Sequence, residues 1–299
     1  MSSIQLTLEN TVSRFLDHQL ANDRSPHTIG AHQRDLRLLV NYLGHDITVT
    51  NINPSDLDSF FLSNPVTHQI DGHLKKPTSI NRTRATIKGF FRWLTDIGQI
   101  NHNPAGGIRI KRNTSKLPIF LTEDEKRILL KTIRSHKGLQ ARRDLIIVTL
   151  FLHTGIRLSE LVNLDIGDIN LIEKQITIRA KGGQIVNRFL NTKVRTILHR
   201  YLKERKKVFV ECQALFLSQM LSRITTRQVQ RRLDQWITKA GINKRVTPHS
   251  LRHSFATGLY ARTSNLLAVQ QALGHASVTS TQIYSHLLDE SLEEALETL

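Results

Sequence analysis

Apolar residues recur at helical spacing through the first hundred positions of this chain. Leu8, Val12, Phe15, Leu16 and Leu20 fall on one stripe and predict an amphipathic helix. Ser25-Pro26 opens a second, with proline at a first-turn position and Leu36, Leu39, Val40 and Leu43 on one face. Asn53-Pro54-Ser55 starts a short third helix through Leu57 and Phe61. Pro77-Thr78 starts a long fourth, striped by Ile80, Ile87, Phe90, Phe91 and Leu94. The periodicity ends at GQINHNPAGG. The stretch after it, IRIKRNTSKLP, is basic and aperiodic and carries a proline near its end, so it reads as an interdomain linker. The predicted organisation is a helical domain over 1–106, a basic linker over 107–118 and a second domain over 119–299.

The second domain opens on a capping box, Thr122 with Glu125 three residues on, followed by Ile128, Leu129, Leu130 and Ile133. Another helix is predicted in ARRDLIIVTLFLHTG. In QITIRAKGGQIVNRFL the period changes from helical to alternating. Ile176 and Ile178 alternate with polar neighbours, Lys181-Gly182-Gly183 turns the chain, and Ile185 and Val186 return it, which predicts a β-hairpin with Lys181 at its tip. Helices resume from Thr192. The fold class is therefore mainly α, with a small β-hairpin or sheet in the C-terminal domain. The last stretch, 287–299, spaces Leu287, Leu288, Leu292, Ala295, Leu296 and Leu299 as an amphipathic tail with five acids on its other positions.

Composition narrows the function. With 299 residues, 39% hydrophobic and 22% charged, the chain has room for two cores and the balance of a soluble protein. No apolar run is long enough to span a bilayer, and no signal-peptide core opens the sequence, so a cytoplasmic, nucleoid-associated location without membrane contact is expected. Cys212 is the only cysteine, which excludes an internal disulfide. The net charge of +17 points to a polyanion. It is concentrated: residues 1–110 are net +2, residues 111–286 are net +20, and the tail is net −5. Arg34 and Arg37 on the second predicted helix, and Arg82, Arg84 and Lys88 on the fourth, lie off the apolar stripes. Such a basic face is either simply solvated or a DNA contact.

The second half carries the candidate chemistry. Arg157, in TGIRLSEL, is placed at a helix start, where unpaired N–H groups favour anions, and Glu160 one turn on can orient it by an ion pair. His249 and Arg252, in HSLRH, are one turn apart on a helix opened by Pro248 and can address one phosphate. His253 is either half of a metal pair with His249 or a packed residue. Arg252 beside it, and the lack of an acidic third ligand nearby, favour packing. His275 follows Gly274, a helix-ending signal, and Tyr284 sits nine residues on in a polar stretch. Tyr42, Tyr201 and Tyr260 read as core or half-buried. With Lys181, the set comprises two guanidinium groups, a lysine, two imidazoles and a phenol, with no carboxylate cluster for a metal. No metal and no cofactor is expected.

The order R…K…HxxR…H…Y, together with SPHTIGAHQRDL, TSINRTRATIKGFFRWL, LPIFLTEDE, TGIRLSELVNL, HSLRHSFAT and LGHASVTSTQIYSH, resembles the tyrosine recombinase (phage integrase) family, nearest to its Xer-type members, over nearly the whole chain. The resemblance implies an N-terminal SAM-like core-binding domain, a catalytic domain and a C-terminal exchange tail. It implies Tyr284 as nucleophile, with Arg157, Lys181, His249, Arg252 and His275 as its catalytic partners. It also implies double-stranded DNA with a specific recombination site as substrate, a homo- or hetero-tetramer on two sites, and a partner recombinase or DNA translocase. Residue chemistry permits these roles: a phenol attacks a phosphodiester while guanidinium groups stabilise the developing charge. The role would be chromosome-dimer resolution or integration and excision of a mobile element. Two other readings stay open at this point: DNA relaxation of the type IB topoisomerase kind, and a DNA-binding architectural protein without catalysis.

Overall fold

The computed structural model describes residues 7–111, 118–179 and 183–274. The chain divides into two compact units, Met1–Ser115 and Lys116–Leu299. Residues 112–117 of the expected linker, Lys181, His275, Tyr284 and the tail over 287–299 lie outside the described residues. Among those described, no helix is long and apolar enough to cross a membrane.

The first unit is built from α1 (Leu8–Ala21), α2 (Pro26–Leu43), α3 (Pro54–Leu62), α4 (Asn64–Thr67) and α5 (Pro77–Asp96). The starts follow local chemistry. Thr7 and Ser25 accept backbone N–H groups from the first turns of α1 and α2, and the Asp56 carboxylate reaches back to the Asn53 N–H ahead of α3. α4 was not anticipated, because a single turn opened by Pro65 leaves no periodicity to read. Phe60, Phe90 and Phe91 are fully buried at the centre, each worth about 2 kcal/mol in removed apolar surface. Asp35 of α2, only 1% exposed, accepts from Arg82, Thr83 and Thr86 of α5, so the cost of burying its charge is met by three donors that also lock the two helices.

The second unit holds α6 (Glu123–Arg134), α7 (Leu139–Thr154), α8 (Leu158–Val162), β1 (Ile169–Asn170), β2 (Gln175–Arg179), β3 (Ile185–Phe189), α9 (Thr192–Arg205), α10 (Thr226–Lys239), α11 (Pro248–Thr263) and α12 (Leu266–Leu273). α7 is apolar nearly all round and is the buried centre, contacted by α6, α9 and α11. The strands form an antiparallel sheet in the order β1-β2-β3, and β1, two residues long, extends the expected hairpin. Register pairs Ile176 with Arg188 and Ile178 with Val186, so those four share the inner face, while Ile185 and Phe189 point outward and are exposed.

Candidate active site

The site is assembled at two helix ends. α7 stops at Gly155, which takes a left-handed φ of 58°. A Cβ there would sit 2.5 Å from the Phe255 ring, so glycine is required both for the turn and for the close approach. α12 stops in the same way at Gly274, with φ 62°. Each end leaves carbonyl oxygens that need donors, and arginines supply them.

Arg157 caps α8. Its backbone N–H and its Nη1 each donate to one oxygen of Glu160, both at 2.8 Å, and its Nη2 donates to the Gly274 carbonyl at 3.3 Å. Glu160 is buried, so it fixes the guanidinium from behind while 41% of the Arg157 side chain stays exposed. The helix that follows is a single turn, so the positive charge presented here is that of the guanidinium rather than of a helix dipole.

Arg252 rises from α11 and is 3% exposed. Its Nη1 donates to the Gly155 carbonyl and its Nη2 to the Leu273 carbonyl at 2.7 Å. It therefore spans the ends of α7 and α12. One turn earlier on α11, His249 is exposed as a residue, but its ring packs edge-on against His253 at 4.4 Å between centroids. That partial desolvation, followed by the charges of Arg252 and Arg157, lowers its pKa from the ordinary imidazole value. The neutral ring so favoured can accept a proton. His253 is buried, as a packed residue.

Arg188 was not singled out in the sequence. It enters from the inner face of β3 and donates to the carbonyls of Thr154 at 2.5 Å, Ala272 and Leu273 at 3.2 Å. The signal was available: a cation in phase with Ile176, Ile178 and Val186 on an otherwise apolar strand face. Burial lowers its pKa, with Glu160 opposing the shift and Arg157 adding to it, and a guanidinium stays cationic under such a shift. Among the described residues, the corner thus brings three guanidinium groups together with one carboxylate, an excess of positive charge suited to an anion.

In the first unit, Arg34 and Arg37 are exposed on α2. Arg82 is ion-paired to Asp35 at 2.9 Å with 47% of its side chain exposed. Arg84 and Lys88 donate to the carbonyls of Arg109 and Ile108, and Asn81 to that of Lys111, so this row of α5 holds the chain that leaves the domain. Among the tyrosines, Tyr201 is buried, donates to the Leu215 carbonyl at 2.9 Å and has its pKa pushed up to about 12 by burial. Tyr260 is buried too. Tyr42 is more exposed than the sequence suggested, because it lies beside the apolar stripe of α2 rather than on it.

Comparison with known proteins bears on both units. Residues 119–291 match the Phage integrase family, and residues 12–98 match the Phage integrase N-terminal SAM-like domain. The chain is 34% identical to the tyrosine recombinase XerC of Alcanivorax borkumensis, over 93% of this chain and 89% of that one. It is 32% identical to the tyrosine recombinase XerC of Chromobacterium violaceum, over 94% and 91%. Among solved structures, the XerH site-specific recombinase bound to a palindromic difH substrate aligns with a TM-score of 0.78 at 23% identity, covering 99% of this chain and 97% of that one.

Proposed function

The chain belongs to the phage integrase family and is a site-specific tyrosine recombinase acting on DNA; on that footing we propose that Arg157 and Arg252 hold the scissile phosphate while the Tyr284 hydroxyl attacks it. The observation that carries this reading is the convergence of both guanidinium groups on the end of α12, one residue ahead of His275, with a neutral-leaning His249 beside them. The forked groups clamp the non-bridging oxygens, which gain charge as the phosphorus becomes five-coordinate. His249 takes the phenol proton, His275 adds a hydrogen bond to the phosphate, and Lys181 protonates the departing 5′-oxygen. The Tyr284 Oη–phosphorus bond forms as the phosphorus–O5′ bond breaks, giving a 3′-phosphotyrosine and a free 5′-hydroxyl. The 5′-hydroxyl of a second duplex reverses the step, so the strand is rejoined without an external energy source.

Arg34, Arg37, Arg82, Arg84 and Lys88 grip the duplex from the first unit, whose boundary with the second lies in the basic stretch 107–118. Four protomers on two sites exchange the tail over 287–299, and a partner recombinase or translocase sets the timing at the nucleoid, for chromosome-dimer resolution or movement of a mobile element. In support, the second unit has a groove of about 540 Å³ whose walls include Lys126, Lys131, Arg134 and Arg262 and whose apolar patches are Leu130, Leu152 and Leu259. Its chemistry complements a tail of leucines and acids. Truncation after Ser285 should then spare binding to a half-site but remove cooperative binding to a full site, and unchanged cooperativity would reject the exchange.

The test of the chemistry is a nicked suicide duplex that traps the covalent intermediate. Tyr284→Phe should form no adduct while binding DNA as the parent does. An adduct formed by that variant would assign the nucleophile elsewhere.

A further inference from the structure

Arg188 has no part in the chemistry proposed above, yet the corner depends on it. It lies opposite Ile176 on the inner face of the sheet and is 9% exposed. An apolar side chain in phase with Ile176 and Ile178 would fill that place without desolvating a charge. Moreover, its Nε–H is buried with no acceptor among the described residues, which also counts against stability as its purpose. What it does accomplish is specific. Its two Nη groups reach the last carbonyl of α7, at Thr154, and two carbonyls at the end of α12, at Ala272 and Leu273.

Those are the helix ends that Arg252 also joins, through Gly155 and Leu273, and both arginines donate to the Leu273 carbonyl. Arg157 is anchored one residue further on, at Gly274. Arg188 and Arg252 are therefore two struts across one gap. Cutting the Arg188 strut leaves three carbonyls without this donor and frees the end of α12 to shift. Any such shift carries the Leu273 anchor of Arg252 and the Gly274 anchor of Arg157 with it.

We propose that Arg188 is a positioning residue for strand cleavage: its guanidinium joins the ends of α7 and α12 and so holds Arg157 and Arg252 in register for the scissile phosphate. The proposal rests on the reading of those two arginines as the phosphate clamp. Arg188 acts through them and need not touch DNA. Its role requires a planar fork that can serve carbonyls from two directions, which a lysine ammonium cannot reproduce.

The experiment measures three quantities for Arg188→Met, Arg188→Lys and Arg188→Ala: the melting temperature, the Kd for target DNA, and the rate of adduct formation on a nicked suicide duplex at saturating DNA. Removing one partner of buried hydrogen bonds is destabilising, so Arg188→Met should melt below the parent; assayed well below that temperature, it should bind DNA comparably. Its cleavage rate should fall by about 10²-fold, the scale of loss expected when reacting groups are displaced by about an ångström. Arg188→Lys should remain slow despite its charge. Millimolar methylguanidinium, below any denaturing concentration, should restore Arg188→Ala in a saturable way.

Arg188→Met cleaving at the parent rate would overturn the proposal. So would a rate loss in all three variants that tracks a lowered melting temperature and is not rescued by methylguanidinium, since that pattern is purely structural. Arg157→Ala and Arg252→Ala, assayed in parallel, separate the two levels. If they are slow and Arg188→Met is normal, the positioning role alone fails. If they cleave normally, the clamp itself is wrong.

Discussion

Two groups of basic residues in this molecule are built on opposite principles. On α2 and α5 of the first unit, Arg34 and Arg37 are exposed, and Arg82 is about half exposed and neutralised by a buried carboxylate. In the second unit, Arg188 and Arg252 are buried, and the partners described above are helix-end carbonyls. A solvated cation attracts phosphate at long range, is screened by salt and is interchangeable with its neighbours. A buried guanidinium tied to fixed carbonyls is directional and cannot be replaced by a charge placed elsewhere. On the proposed reading, the first group finds and grips DNA, while in the second Arg252, with Arg157, holds one phosphate and Arg188 keeps both in place.

The largest effects are expected in the second unit. Arg157→Ala and Arg252→Ala should each slow adduct formation on the order of 10²-fold or more, by the measure of a lost oxyanion donor. Arg252→Lys should recover little, since it keeps the charge but cannot bridge Gly155 and Leu273. Near-normal rates in all three would dissolve the distinction between the groups.

A smaller effect concerns pH. Burial against His253 and the charges of Arg252 and Arg157 lower the pKa of His249, so its neutral, proton-accepting form persists as pH falls. The acid limb of the cleavage rate at subsaturating DNA should therefore lie below the ordinary imidazole value of about 6.5. A limb above that value would assign the base to another group. Smallest of all is the effect of single substitutions in the first unit. Arg34→Ala and Arg37→Ala should each reduce the slope of log affinity against log salt by about 1. Arg84→Ala and Lys88→Ala should reduce it less, because those side chains already serve the carbonyls of Arg109 and Ile108. Equal slopes for all four would mean that those carbonyl contacts give way to DNA.

Much of this was legible from local chemistry. Prolines at 26, 54, 77 and 248 and the Thr122–Glu125 box each begin a helix where they predict one. Gly274 ends one, and the one-turn spacing of His249 and Arg252 puts both on α11. Glu160 pairs with Arg157 because three residues within one turn already bring them together. What escaped the sequence depends on distant partners. Arg188 shows in the sequence only as a cation on an apolar strand face, and its partners appear only when the register sets it against Ile176 and the helix ends arrive over it. Arg84 and Lys88 read as a free basic face until residues 108–111 return along α5.

The division of labour between the two groups is tested most directly by measuring, for each variant, both the Kd for target DNA and the adduct rate at saturating DNA. A crossing is expected: Arg157→Ala and Arg252→Ala lower the saturated rate and leave Kd nearly unchanged, while the combined Arg34→Ala, Arg37→Ala variant raises Kd and leaves the saturated rate nearly unchanged. If the second-unit variants act through Kd and the first-unit variant acts through the saturated rate, Arg157 and Arg252 do not hold the phosphate that is cut.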